Sequence, residues 1–161
     1  MRSGSYTYFA NDDIILAKIT PCMENGKCAL VSDLTNGIGY GSSEFHVFRC
    51  SENIDKGYLF ALLNRNDVRY CAQKSMTGKS GHRRVPESFY ASMEIPVPED
   101  KKIQAKIAAE CAKIDEELLN MQEECNTCES EMSRIINSLQ GNKSKIAVSC
   151  FLNQYKIDPT V

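Results

Sequence analysis

No run of apolar residues in this sequence approaches the ~20 positions that a helix needs to cross a bilayer. The opening MRSGSYTYF lacks the apolar central region and cleavage site of a secretory signal, so the expected setting is cytoplasmic. Catalytic motifs are equally scarce. TGKSG misses the upstream glycine of a phosphate-binding loop and does not clearly open a helix after a strand. Only two histidines are present, His46 and His82, and neither has a nucleophile and an orienting carboxylate in a recognisable arrangement. His46, alone in a strand pattern, reads as a structural residue. Ligands for a metal are missing too, because the single CxxC of Cys125 and Cys128 stands far from both histidines.

What is present is the composition of an ordinary globular protein, with 42% hydrophobic and 25% charged residues in 161 positions and a formal net charge of −2. The eight cysteines suit a reducing compartment, where free thiols act as small apolar side chains. Charge is spread evenly through the first 98 residues, with 11 basic and 10 acidic side chains, except in one place. Between positions 74 and 84, Lys74, Lys79, Arg83 and Arg84 meet no acid.

Pro96 and Pro98, in IPVPEDKK, remove backbone donors and set a boundary between two kinds of pattern. Before it, DDIILAKIT reads as a buried strand, TPCMENGKCALV as a turn through Asn25 and Gly26 into a second strand, NGIGYGSS as a glycine-rich connection and EFHVFRC as a further strand. One helix is expected over residues 51–74, capped at Ser51 or Asn53, with Leu59, Leu62, Leu63 and Tyr70 on its apolar face. VPESFYASMEIPVP reads as a turn of helix leading to a strand. The fold class is therefore α+β (mixed α/β), a small globule with a mixed sheet.

Beyond Pro98 the period changes. Ile107, Cys111, Ile114, Leu118, Met121, Cys125, Cys128, Met132, Ile135 and Leu139 step by four and three, while the acidic residues lie off that line. This is a heptad seam, on a helix expected from about residue 100 to 140, roughly 60 Å long. Gly141 supplies a stop. Cys125 and Cys128 fall at successive core positions of the seam, so packing accounts for them without metal.

The run MTGKSGHRRV combines groups that suit an anionic polymer. Its glycines let backbone N–H groups approach closely, Thr77 and Ser80 add donors, Lys79, Arg83 and Arg84 neutralise phosphate, and an arginine can also read guanine. The competing reading is a solvated basic surface loop. The candidate DNA-binding set is Lys74, Thr77, Gly78, Lys79, Ser80, Gly81, His82, Arg83 and Arg84, and no catalytic or metal-binding residue is assigned.

Five unlike segments occur in one order: DDIILAKITPCMENGKCALV, GIGYGSSEFHVFR, YLFALLNR, MTGKSGHRRVPESF and MEIPVPEDKKIQAKIAAE. Together they resemble the specificity subunit of type I restriction-modification enzymes over roughly residues 8–140. The resemblance implies a target-recognition domain over 1–98 that lacks its early strands, a conserved coiled-coil helix over 99–141, and a segment 142–161 without an assigned role. It implies double-stranded DNA, methylation subunits and restriction subunits as partners, with S-adenosylmethionine, ATP and magnesium held by those subunits and no cofactor or catalysis on this chain. Carried over by position, the family's polar loop falls on Thr77 to Arg84, with Val85, Pro86 and Phe89 as the anchor behind it. Thr20 to Lys27 matches a further motif that either touches DNA or supports the loop. A whole subunit has two recognition domains and two helical regions, whereas this sequence has one of each, the pattern of a fragment or truncated gene product. An antiparallel homodimer through the long helix would imitate the two-part subunit. The alternative reading is a coiled-coil assembly protein whose globule does not read DNA.

Overall fold

The computed structural model describes residues 6–138. Five short strands come first: β1 (Thr7–Ala10), β2 (Ile14–Ala17), β3 (Cys28–Leu30), β4 (Ile38–Gly41) and β5 (Phe45–Phe48). Four helices follow, α1 (Lys56–Leu63), α2 (Asn66–Ser75), α3 (Glu87–Ala91) and α4 (Lys101–Ser138). The chain divides into two units, Met1–Asp115 and Glu116–Val161.

In the first unit, β2 is the central strand of a three-stranded sheet ordered β3-β2-β5, and it buries Ile14, Leu16 and Ala17. Its unbroken aliphatic run suits a strand covered on both sides. β1 and β4 form a separate two-stranded sheet, and every pairing in both sheets is antiparallel. The α+β class therefore holds, but the mixed sheet expected from sequence is replaced by two antiparallel ones.

β4 lies where a connection was expected. Two glycines hid it: an added Cβ at Gly39 would come within 2.6 Å of the Phe9 ring, and one at Gly41 within 2.7 Å of the Phe45 ring. Flat rings cross the bare backbone there, so glycine serves the strand as a close-approach residue. β1 and β2 are joined by a tight turn with Asp12 at φ +71°, closed by the Asp13 N–H donating to the Ala10 carbonyl. The buried Asp13 carboxylate accepts from the Ala10 N–H at 2.8 Å and takes both arms of Arg49 at 2.7 and 2.6 Å. These donors, the arginine foremost, hold Asp13 below the ordinary carboxylate range.

The single helix expected over 51–74 is two. α1 is capped by Asp55, whose carboxylate accepts from the Tyr58 N–H, not by Ser51 or Asn53. It ends at Leu63 with Asn64 as its C-cap, and α2 begins after Arg65, whose ψ of 139° is not helical. Leu62 and Leu63 are buried as expected, whereas Tyr70 on α2 is exposed. After α3, the segment expected as a strand forms no strand in the structure. Its carbonyls are held by side chains: the Tyr58 hydroxyl donates to Pro96 O at 2.6 Å and Gln104 to Pro98 O at 2.7 Å.

Gln104, on the first turn of α4, is fully buried. Its amide also donates to Asn53 O at 3.1 Å, and its oxygen accepts from the Asp55 N–H at 2.8 Å. Gly57 leaves room beside it for α4, since a Cβ there would come within 3.1 Å of the Ala108 methyl. In the second unit, α4 continues to Ser138 and every residue from Glu116 to Ser138 is exposed. Leu139, Gly141 and the segment 142–161 lie outside the described residues.

Candidate nucleic-acid interface

The basic run folds as a hairpin. Thr77 and Arg84 exchange backbone hydrogen bonds of 3.0 and 2.8 Å, closing a six-residue loop between them. Within it the His82 N–H donates to Lys79 O at 3.0 Å across a turn whose third residue, Gly81, has φ +80°. Gly78 is required twice over, by φ +120° and because a Cβ would lie 2.8 Å from the His82 carbonyl oxygen.

One arm of this hairpin is stitched to the strand end after β2. The Thr20 N–H donates to Arg83 O at 3.0 Å, and the Val85 N–H donates to Lys18 O at 2.9 Å. Val85 is then buried with Met23 and Ala72, and Met76, Phe89 and Tyr90 pack around them. The Thr20–Lys27 segment thus supports the hairpin from beneath, through Thr20 and Met23. The base is held by backbone bonds and core packing, while Gly78, Lys79, Ser80, Gly81 and His82 at the tip are all exposed.

The run is free of acid in sequence but not in space. Arg84 makes a bidentate pair with Glu44 at 2.8 and 2.7 Å, and its third nitrogen donates to His82 O at 2.9 Å. This guanidinium keeps the Glu44 carboxyl below its usual range. Arg83 approaches Glu24 more loosely, at 3.5 Å. One Glu24 oxygen accepts from the Thr20 hydroxyl at 2.9 Å, and the other is buried without a hydrogen-bond partner. Among the described residues, Lys79 and Lys74 make no ion pair with a carboxylate, and Lys74 lies on the last turn of α2, over the Tyr70 ring at 5.1 Å.

Eight of the nine candidate DNA-binding residues are therefore gathered in one hairpin, and Lys74 precedes it on a helix. Sequence reasoning missed Glu24, Glu44 and Lys18, whose sequence separation from the run leaves no local signal. Beside the hairpin runs an open groove of about 670 Å³ whose lining includes Lys18, Thr77, Arg84, His46, Glu87 and Tyr90. His46 serves that wall structurally: its Nε2 lies 2.9 Å from Val85 O and its ring packs edge-on to Tyr90. Burial depresses its pKa, which favours the neutral ring with Nε2–H as donor.

The groove and hairpin offer donors and positive charge on a fixed frame. Among the described residues there is no cluster of three side chains able to hold a metal. The seven described cysteines are all free thiols. On the long helix, Ile107, Ile114, Leu118, Met121, Cys125, Cys128, Met132 and Ile135 are exposed and Cys111 is half-buried. No helix among the described residues is long and apolar enough to cross a membrane.

No family model matches the chain. Among curated proteins, it is 46% identical over 94 residues to the type I restriction enzyme EcoAI specificity subunit of Escherichia coli, covering 58% of this chain and 16% of that protein. It is 41% identical over 112 residues to the EcoEI specificity subunit of the same organism, covering 68% of this chain and 18% of that protein. The resemblance carried by the five segments is borne out by these matches. The chain spans under a fifth of the length of the curated relatives it matches.

Proposed function

We propose that this chain contributes DNA-sequence recognition to a type I restriction-modification system, as part of a specificity subunit and without catalysis of its own. The hairpin carries this reading: a rigid base presents an exposed tip of two glycines, a serine, Lys79 and His82 beside the partly paired Arg83. Backbone N–H groups and cations on such a frame suit phosphate oxygens, and the lining of the groove beside it adds the Lys18 cation and the Thr77 hydroxyl. Lys79 and Arg83 act on phosphate, His82 donates to phosphate or a base edge, and Arg84, held by Glu44, sets the finger's shape. The extensive identity to two specificity subunits supports the same reading.

Partners in this reading are double-stranded DNA and the methylation and restriction subunits, with S-adenosylmethionine, ATP and magnesium held by those subunits, in the cytoplasm. The long helix offers the surface for assembly. The test is DNA binding by the assembled complex carrying Lys79→Ala and Arg83→Ala. Affinity should fall on every sequence, and the slope of log affinity against log salt should shrink by about 1 for each phosphate that is no longer neutralised. Unchanged affinity and slope would refute the assignment.

A further inference from the structure

Arg83 and Arg84 are neighbours on the returning arm of the hairpin, and each meets a different glutamate. The two pairs are unlike. Arg84 spends its guanidinium on Glu44 and on His82 O, through three bonds of 2.7 to 2.9 Å. Arg83 turns one nitrogen to Glu24, at 3.5 Å, and among the described residues its guanidinium makes no other hydrogen bond. Most of its N–H donors are therefore open to a ligand.

Glu24 is fixed in place and short of partners. It sits on a turn closed by the Met23 N–H donating to Ile19 O at 3.0 Å, the Asn25 N–H to Pro21 O at 3.0 Å and the Gly26 N–H to Met23 O at 2.9 Å. Its Oε1 accepts from the Thr20 hydroxyl at 2.9 Å, while Oε2 is buried without a hydrogen-bond partner, and the side chain is only 19% exposed. Among the described residues, Arg83 is the one cation within ion-pair distance of it. Pulling Arg83 away would leave a mostly enclosed carboxylate with a single hydroxyl, which is costly. Arg83 is thus tied to one pose.

That pose lies at the foot of the hairpin. Lys79 and His82 are exposed at the tip, whereas Arg83 is half-buried and its carbonyl is held by the Thr20 N–H at 3.0 Å. A tethered donor serves only the phosphate that comes to it. A loose one would swing to whichever phosphate is nearest, on any sequence.

We propose, on the DNA-recognition reading given above, that Glu24 is a positioning residue that determines specificity. By tying Arg83 at the foot of the hairpin, it aims the open edge of that guanidinium at one phosphate of a fully seated target and withholds it from DNA that seats differently. Specificity is a difference of affinities, so denying a contact to the wrong duplex raises it.

The test uses the assembled complex and two duplexes of equal length and composition, one selected by the native complex from a random pool and one scrambled. Discrimination is the ratio of the two affinities. Glu24→Gln keeps the shape and an acceptor for Thr20 but removes the charge. It should tighten the scrambled duplex ~5-fold and the selected one by under ~2-fold, and on the scrambled duplex the slope of log affinity against log salt should steepen by about 1, as one more phosphate is neutralised. A merely structural role would loosen both. Arg83→Ala should lower discrimination ~5-fold, and adding Glu24→Gln to it should lower discrimination no further, because both changes remove the same device. Arg83→Lys, which leaves Glu24 untouched, should also lose discrimination although the charge is kept, since an ammonium lacks the fork that serves carboxylate and phosphate together. Unchanged or looser binding of the scrambled duplex by Glu24→Gln, additive losses in the double variant, or full discrimination in Arg83→Lys would each overturn the role of Glu24 and leave DNA recognition standing. A native complex that selects no duplex would overturn both.

Discussion

The basic hairpin and the acidic stretch of α4 are both exposed and both rich in charge, yet they differ in what answers that charge. In the hairpin, Arg84 is fixed by Glu44, Arg83 is met by Glu24, and the backbone is sewn to the strand end beneath it. On α4, Glu117 and Glu124 form no ion pair among the described residues, and the apolar seam beside them is open. A surface completed inside its own chain is ready to receive a ligand as it stands. A surface left open adds little to the fold by itself.

The contrast is sharpest in stability. Ile14 is wholly enclosed, so Ile14→Ala should cost about 3 kcal/mol in urea unfolding, whereas Leu118→Ala in the isolated chain should stay within about 0.5 kcal/mol. A comparable loss at Leu118 would mean that the seam is already covered. Next in size is Gln104→Ala, which strips partners from the Asp55 N–H and two carbonyls and should cost roughly 2 kcal/mol.

Acid offers a third way to probe the globule. Asp13 and Glu44 are both held below the ordinary carboxylate range by arginine donors. The stability they contribute is complete above that range and disappears as pH falls through the depressed values. Asp13→Asn should therefore flatten the loss of stability of the native chain on acidification, measured by denaturant midpoints at successive pH values. An equally steep loss in the variant would show that the carboxylate is not responsible.

The smallest expected effect is chemical. Burial pushes the Cys28 thiol up to about 11, while Cys125 and Cys128 on α4 are exposed. Alkylation near neutral pH should label the helix cysteines first and Cys28 at least ~10-fold more slowly, with the difference vanishing in denaturant. Equal rates in the folded chain would contradict the burial of the Cys28 thiol.

Legibility followed locality. β2, β3, β5 and the long helix could be read because aliphatic density and a heptad period are written in consecutive residues. β4 could not, since its glycines exist for the rings of Phe9 and Phe45 and look like a loop on their own. The break between α1 and α2 falls at Asn64 and Arg65 without proline or glycine to announce it. The hairpin's residue types were visible, but its electrostatics were not: Glu44 lies forty positions from Arg84, and Glu24 fifty-nine from Arg83. Gln104 looked like any polar residue on a helix, though it is the one most enclosed there.

That glutamine also bears on how chimeras of such chains should be cut. A splice at Pro96 or Pro98 looks natural in sequence, yet it would divide Tyr58 and the α1 cap from the carbonyls and amide that they share with the far side. A graft joined downstream of Ala108 would carry those bonds across intact, so transplanting the globule onto a foreign helix should succeed there and fail at the prolines.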